Sequence, residues 1–220
     1  MKRNGTSNLV AGCVLVLLFV VWTVLIQVVD VQPIGPKGTA VGFASFNHWF
    51  HELTGVHMTI YSITDWLGLI PVFVCLIFGG LGFVQLIKRK SLRNVDGDIL
   101  FLGIYYLVVI VCYLIYETIP INNRPILIDG YLEASYPSST TLLVFSVIPT
   151  VVFQVKRRLK NVVVKKRICV LTSLFSIYMV IGRLISGVHW FTDIVGSVIL
   201  SAGLFCVYQA VVFLCCKEEN

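Results

Sequence analysis

An arginine, a histidine and an aspartate stand close together near the end of a long apolar run. Arg183 precedes His189 by six residues, and Asp193 follows His189 by four. If this stretch is helical, His189 and Asp193 share one face of the helix. A neighbouring carboxylate fixes the tautomer of an imidazole and stabilises its protonated form, which leaves the other ring nitrogen free to attack. Arginine supplies a planar fork of donors that suits phosphate oxygens, so this trio indicates phosphoryl transfer.

Two further segments bring polar residues to the ends of apolar runs. The first extends from Glu117 to Arg124 and Pro125, and the second reads Tyr-Pro-Ser-Ser-Thr over residues 136–140. Arg124 offers a second guanidinium fork. Ser138 stands at a predicted helix start, where backbone N–H groups and the helix dipole favour an anion. Together with the trio, these residues predict a cradle for a phosphoryl group, whose transfer depends mainly on positioning and charge stabilisation.

The elements that must position these residues are membrane-spanning helices. The 220 residues are 57% hydrophobic and 13% charged, with a mean hydropathy of +0.90, whereas soluble domains are about 25% charged. A span needs about 20 apolar residues. The sequence therefore predicts an all-α, six-transmembrane-helix bundle that forms a single membrane domain over residues 1–220. The predicted spans are 9–29, 67–87, 99–116, 138–155, 168–185 and 194–214.

The basic residues predict the orientation of the bundle, because lysine and arginine concentrate in cytoplasmic loops. Of the 17 basic residues, only Lys37, Arg124 and Arg183 fall on the other side of the predicted spans. Both termini are therefore expected to be cytoplasmic, including Lys217 after the last span. The arginine and histidine site would then face the outside of a plasma membrane. The small size and bare termini favour a bacterial membrane.

The net charge of +6 does not indicate a nucleic-acid partner, because the basic residues lie in short loops between apolar runs. The expected partners are instead the membrane itself and a phosphorylated membrane lipid. No cluster of histidine, cysteine, aspartate or glutamate has convincing metal-ligand spacing, so no metal or cofactor is expected. The seven cysteines lie within apolar runs or at the C-terminal end and predict no disulfide.

The three polar segments resemble the three signature motifs of the type 2 phosphatidic acid phosphatase family. That family's pattern is Lys-x6-Arg-Pro, then Pro-Ser-Gly-His, then Ser-Arg-x5-His-x3-Asp. The matching residues here are Arg124, Pro125, Pro137, Ser138, Arg183, His189 and Asp193. The resemblance implies that His189 is the nucleophile that forms a phosphohistidine and that Asp193 orients it. It also implies that the phosphate is held by Arg124, Arg183 and Ser138.

The sequence departs from the family pattern at several positions. Glu117 stands at the lysine position, Thr140 at the second-motif histidine, and Gly182 at the serine before the arginine. The missing histidine would protonate the departing oxygen, which threonine does not do near neutral pH. General acid catalysis is worth about 10²–10⁴ in rate.

Three interpretations of the missing acid stay open. Another acid can replace it: Glu117 or Glu133 if burial raises its pKa, or one of His48, His51 and His57 in the first outer loop. Alternatively, the substrate has a good leaving group, as a polyprenyl pyrophosphate does and phosphatidic acid does not. In the third interpretation the chain is a catalytically degenerate relative that binds or moves phosphorylated lipids without hydrolysis.

Other polar residues have simpler interpretations. The segment Phe43–His57 is predicted to form a short amphipathic helix whose aromatic residues lie at the headgroup level. Asp65 is expected to cap the second span. Asp96 and Asp98 fall on the predicted cytoplasmic side, away from the proposed chemistry, and are expected to be solvated.

Overall fold

Every regular element in the described part of the chain is helical. The computed structural model describes residues 2–216, with side chains from residue 4 onward, and Lys217 lies outside the described residues. Two short 3-10 helices span Pro36–Gly38 and Leu92–Asn94. The α-helices are α1 (Lys2–Val28), α2 (Ala44–Thr54), α3 (Met58–Leu67), α4 (Leu69–Arg89), α5 (Gly97–Thr118), α6 (Ser139–Arg158), α7 (Val162–Ile185) and α8 (Phe191–Cys215).

Within residues 2–216, six helical segments are long and apolar enough to cross a membrane, which confirms the predicted all-α, six-span architecture. The second of them runs from Met58 to Arg89, because α3 continues into α4 at Gly68. Asp65 therefore lies inside α3, and the prediction that it caps the second span is wrong. The fifth begins at Val162 rather than residue 168, because the Asn161 side chain accepts the first free N–H groups of α7.

Helix α1 packs along α8 at very short range. A methyl group at Gly12 would lie 2.7 Å from Val207 Cγ2, and one at Gly203 would lie 3.0 Å from Val16 Cγ2. Such small residues allow two membrane helices to approach closely. Further along α1, the Trp22 indole donates to the carbonyl oxygen of Thr192 at 3.2 Å. The hydroxyls of Thr23 and Tyr136 lie 2.7 Å apart, so α1 also holds the segment that precedes α6.

The two ends of the bundle differ in charge. Gly5 lies against Leu214, and the Asn8 amide donates to Gln209 Oε1 at 3.3 Å, so the start of α1 and the end of α8 share one end of the bundle. We call this the basic end, because it carries the loops over residues 88–98 and 156–167. The opposite end, the site end, is built from residues 30–57, 119–138 and 186–193. Which membrane face each end meets stays a prediction.

The basic end contains a cluster of ion pairs rather than solvated carboxylates. Asp98 is only 6% exposed, so the prediction that it is solvated is wrong. The Asp96 side chain is likewise only 9% exposed. Burial raises the pKa of the Asp96 carboxyl, but hydrogen bonds from Arg89 and Arg158 outweigh that effect and hold the pKa below its usual 3.8. Helix packing thus draws both carboxylates between the arginines that end α4 and α6.

At the site end, α2 lies where the amphipathic segment was predicted. Phe46 and Trp49 are 42% and 55% exposed, which suits a position at the headgroup level. On the other side of α2, the rings of Phe46 and Phe50 meet the ring of Phe191 at centroid distances of 5.2 and 5.1 Å. Helix α2 therefore rests on the first turn of α8.

Candidate phosphate-binding site

A small hairpin between α5 and α6 positions the first group of site residues. The Arg124 N–H donates to the carbonyl oxygen of Glu133 at 3.1 Å, and the Ser135 N–H donates to that of Asn122 at 2.9 Å. The Trp190 indole donates to the Asn123 carbonyl oxygen at 2.8 Å and ties the hairpin to the start of α8. These backbone contacts direct the side chains of Asn122, Arg124 and Ser135 into the bundle, where all three are buried.

Two buried guanidinium groups lie beside one imidazole. Arg183, in the last turn of α7, is 1% exposed, and its Nη2 lies 3.4 Å from His189 Nε2. Its Nη1 lies 3.5 Å from the Thr64 hydroxyl on α3. The Arg183 and Arg124 guanidinium carbons lie 4.9 and 5.7 Å from the centroid of the Tyr61 ring. Segments far apart in the sequence, together with α3, thus meet at one point of the site end.

The two guanidinium groups keep free donors. Within the described residues, the buried Nη1 of Arg124 and Nε of Arg183 have no hydrogen-bond partner. Buried polar groups in proteins are nearly always paired, and an exception calls for an explanation such as a ligand. Two buried cations with open N–H groups form a receptor for an anion with several oxygens, such as phosphate.

Two carboxylates lie at the edge of this receptor. Glu133 Oε2 is 3.1 Å from Arg124 Nε, and Asp65 Oδ1 is 3.6 Å from Arg183 Nη1. Glu117, the other predicted substitute acid, lies in the last turn of α5 and is exposed. It lines a small cavity with Tyr113, and within the described residues no ion pair joins it to either arginine. Sequence reasoning missed Asp65 at this site, since it belongs to no recognised motif.

The environment of His189 keeps its imidazole neutral. Burial, followed by the charges of Arg124 and Arg183, holds the pKa of His189 well below its usual 6.5. Its Nδ1 lies 3.2 Å from the carbonyl oxygen of Ser135, which can only accept a hydrogen bond. The proton is therefore on Nδ1, and the lone pair of Nε2 faces Arg183. A neutral imidazole whose Nε2 carries no proton is the form that attacks phosphorus.

Asp193 lies at this centre and is joined to the imidazole through the Ser135 hydroxyl. Its Oδ2 accepts from the Ser135 hydroxyl at 2.5 Å and from the Trp190 N–H at 3.0 Å. Its Oδ1 accepts from the Asn122 amide at 3.2 Å. Among the described residues, no hydrogen bond or ion pair joins Asp193 directly to His189. The direct carboxylate–imidazole contact expected from the four-residue spacing is absent because the Ser135 hydroxyl lies between the two side chains.

Ser138 lies immediately before α6 and is fully buried. Its hydroxyl donates to the Thr141 hydroxyl at 3.1 Å. No side chain in the described chain caps this helix start, so the first N–H groups of α6 remain open to an anion. Thr140, at the position of the family's histidine, is 7% exposed and faces the α3–α4 junction, where a methyl group at Gly68 would lie 3.2 Å from its Cγ2.

The three histidines of the first loop are engaged elsewhere. His51 Nε2 lies 3.1 Å from the Gly187 carbonyl oxygen, and His57 Nε2 lies 2.9 Å from that of Thr54. His48 pairs with Glu52 at 3.3 Å on the exposed face of α2. In the described part of the chain, no group of three or more His, Cys, Asp or Glu side chains is arranged to hold a metal ion.

The fold of this helical membrane bundle is already known from a solved structure. The chain is similar to a crystal structure described as the first transmembrane PAP2-type phosphatidylglycerolphosphate phosphatase from Bacillus subtilis, with a TM-score of 0.68. The match covers 94% of this chain and 98% of that one at 16% identity, so the likeness concerns the fold. No curated protein matches the chain by sequence.

The family assignment rests on the sequence match. The model of the PAP2 superfamily matches residues 105–215, which include all three motif segments. The chain belongs to the PAP2 superfamily, and the resemblance predicted from its motifs is confirmed. It is a multi-pass membrane protein, and its family supports a phosphatase-type function on lipids.

Proposed function

We propose that the chain hydrolyses a phosphorylated membrane lipid through a phosphohistidine on His189. The observation that carries this proposal is that the open Nη1 of Arg124 and Nε of Arg183 are buried near His189, whose Nε2 lies 3.4 Å from Arg183 Nη2. Such an arrangement can hold phosphate oxygens while directing phosphorus toward the ring nitrogen. The open N–H groups at the start of α6, next to Ser138, supply further neutral donors for the same anion.

The proposed reaction has two steps. His189 Nε2 attacks phosphorus, and the bond from phosphorus to the lipid-side oxygen breaks, so that the electron pair leaves with that oxygen. A water molecule then attacks the phosphohistidine, the phosphorus–nitrogen bond breaks, and its electron pair returns to Nε2. We assign the proton of this water to a carboxylate beside the arginines, Glu133 or Asp65. In both steps the guanidinium groups stabilise charge that develops on the phosphoryl oxygens.

The leaving group indicates the substrate class. Thr140 cannot protonate a departing alkoxide, and the nearby Glu133 and Asp65 carboxylates are each paired with a guanidinium. A lipid pyrophosphate releases a phosphate monoester, which leaves with little protonation. We therefore propose a polyprenyl pyrophosphate type of substrate in preference to phosphatidic acid.

The test is phosphate release by the purified protein in detergent from three lipids: a polyprenyl pyrophosphate, phosphatidic acid and phosphatidylglycerol phosphate. We expect the first to react fastest. His189→Ala should lower kcat by at least about 10³-fold, because it removes the nucleophile. His48→Ala is the matched control, since that imidazole lies on exposed α2 and should leave the rate unchanged.

Two outcomes overturn parts of the proposal. Release that persists in His189→Ala rejects the nucleophile. No release from any of the three lipids, combined with tight binding of one of them, favours the second candidate, a lipid-binding relative without hydrolysis. The specific observation that favours this second candidate is Thr140 in place of the family's histidine.

We also propose that the site end faces away from the cytoplasm of a bacterial plasma membrane, since nearly all basic residues collect at the other end. A reporter that folds only in the cytoplasm, fused after residue 220, should be active. The same reporter inserted at residue 130, in the site-end hairpin, should be inactive. The reverse pattern contradicts this orientation.

A further inference from the structure

A serine hydroxyl occupies the space between the two residues that the motif pairs directly. Ser135 Oγ lies 3.0 Å from His189 Nδ1 and 2.5 Å from Asp193 Oδ2. All three residues are buried, with exposures of 2% for Ser135, 4% for His189 and 0% for Asp193. Water is thus kept from both hydrogen bonds.

The direction of each hydrogen bond follows from the donors available. Asp193 Oδ2 accepts from Ser135 Oγ and from the Trp190 N–H, as a carboxylate does. The single hydroxyl proton of Ser135 is then committed to Asp193. The Ser135 oxygen must therefore accept from His189, whose Nδ1 carries a proton. The polarity is fixed along the chain from imidazole to hydroxyl to carboxylate.

We propose that Ser135 is a positioning residue that couples Asp193 to His189 in the phosphatase reaction. The inference rests on the proposed function only for its kinetic test. As His189 forms a bond to phosphorus, positive charge develops on the ring. The Ser135 oxygen, polarised by Asp193, stabilises that charge at Nδ1 without placing a full carboxylate against the imidazole.

The backbone and the side chain of Ser135 make separate contacts with His189 Nδ1. The Ser135 carbonyl oxygen, 3.2 Å from Nδ1, is retained in any side-chain variant and keeps the proton on Nδ1. A variant without the hydroxyl loses the hydrogen bonds that connect His189 to Asp193. Ser135 touches neither arginine through its side chain among its described contacts, so its loss should leave phosphate binding intact.

The kinetic test is a double-mutant cycle with Ser135→Ala and Asp193→Asn. Each single change should lower kcat by about 10- to 100-fold, the same range as the loss seen when the outer hydrogen-bond partner of a metal-bound imidazole is removed. KM should change little. The double variant should be about as slow as the slower single variant, because both changes break one path. Ser135→Thr keeps a hydroxyl and should restore most of the rate.

A matched control separates coupling from packing. Like Ser135, Ser201 is a buried serine, but it lies on α8. Its hydroxyl donates to the Leu142 carbonyl oxygen, away from the imidazole. Ser201→Ala should leave kcat unchanged while costing similar thermal stability. Independent, additive losses in the cycle, or an unchanged kcat in Ser135→Ala, overturn the proposal.

A spectroscopic test does not depend on any lipid being hydrolysed. In protein labelled with nitrogen-15 at histidine, the His189 Nδ1–H proton should resonate downfield, with His189→Ala identifying the signal. The resonance should move upfield in Ser135→Ala and stay in place in Ser201→Ala. An unmoved resonance in Ser135→Ala overturns the coupling. An inactive wild type with the expected shifts rejects the proposed function alone.

Discussion

Two clusters of arginines and carboxylates stand at opposite ends of the same bundle, and they are built differently. At the basic end, Asp96 and Asp98 form ion pairs with three surrounding arginines. The pairs are Arg89–Asp96 at 2.5 Å, Arg158–Asp96 at 3.1 Å, Arg158–Asp98 at 2.7 Å and Arg157–Asp98 at 3.6 Å. Each carboxylate has two cationic partners, and the network joins the ends of α4, α5 and α6.

At the site end the same residue types are left incomplete. Arg124 and Arg183 are more deeply buried than Arg158, whose side chain is 28% exposed. Even so, they each have one nearby carboxylate at the edge and open N–H groups at the centre. Leaving buried donors without partners costs about 1–3 kcal/mol each. The ion pairs of the basic end therefore hold helices together. At the site end, the unpartnered donors lower the stability of the protein and leave room for an anion.

Exchanging one arginine at each end gives the largest contrast. Arg183→Ala should lower kcat/KM by about 10²–10³-fold, because it removes donors aimed at the phosphoryl oxygens. Its thermal stability should change little. Arg158→Ala should lower the unfolding free energy by about 1–3 kcal/mol, because it strips partners from two buried carboxylates, and should leave kcat of the folded protein unchanged. Equal effects of both variants on stability and activity would remove the distinction between the ends.

A histidine at position 140 tests whether the site lacks an acid for the leaving group. Thr140→His supplies a candidate acid for the leaving oxygen, so phosphatidic acid hydrolysis should rise by about tenfold relative to pyrophosphate hydrolysis. The ratio of the two rates in one preparation is the measurement. A uniform change for both lipids would show that protonation of the leaving group does not limit the reaction.

The pH profile should reveal the positive field at the site end. His189 reacts as the neutral form, and burial with Arg124 and Arg183 lowers its pKa, so activity should persist below pH 6.5 and fall only as the pH drops through the lowered pKa. Arg124→Ala removes one positive charge and should move the acid limb to higher pH. If the pKa returned to 6.5, the rate at pH 6 would drop about fourfold from its plateau. An unmoved limb would contradict this field.

Substitutions of the two glutamates predicted as substitute acids should have small and slightly different effects on activity. Glu133→Gln removes the partner of Arg124, and because the Glu133 side chain is 38% exposed, loss of the pair alone should lower activity by less than about fivefold. A larger loss for both lipids would assign the proton of the attacking water to Glu133 rather than Asp65. Glu117→Gln, on the exposed end of α5, should have no effect on either lipid. A large loss specific to phosphatidic acid in either variant would identify that glutamate as the missing acid.

The sequence predicted the six-span bundle because apolar runs of membrane length have few alternatives. It also predicted a meeting of Arg124, Arg183 and His189 through the order and spacing of three motifs. Their grouping around one point is what the structure shows, while their roles remain predictions.

Other features were not predictable from spacing. Ser135 stands 54 residues from His189 along the chain, and only the fold of the hairpin places its hydroxyl beside the ring. Asp65 reaches Arg183 because α3 continues the second span beyond the apolar run, which hydropathy alone did not reveal. Asp96 and Asp98 lie just before the predicted span 99–116, where hydropathy gives no sign of burial. Their burial depends on how closely three helix ends meet.

The contacts of α1 have a consequence for how this chain can be divided. The family match begins at residue 105. Helix α1 lies outside it, yet Trp22 hydrogen-bonds to the Thr192 carbonyl oxygen beside Asp193, and Thr23 hydrogen-bonds to the Tyr136 hydroxyl beside Pro137. A fragment starting at residue 105 would retain every motif residue. It would lose the α1 contacts that hold the second and third motif segments next to each other. We therefore expect the recognisable half of the sequence to be inert when expressed alone, and co-expression with residues 1–104 to be the route by which it regains its shape.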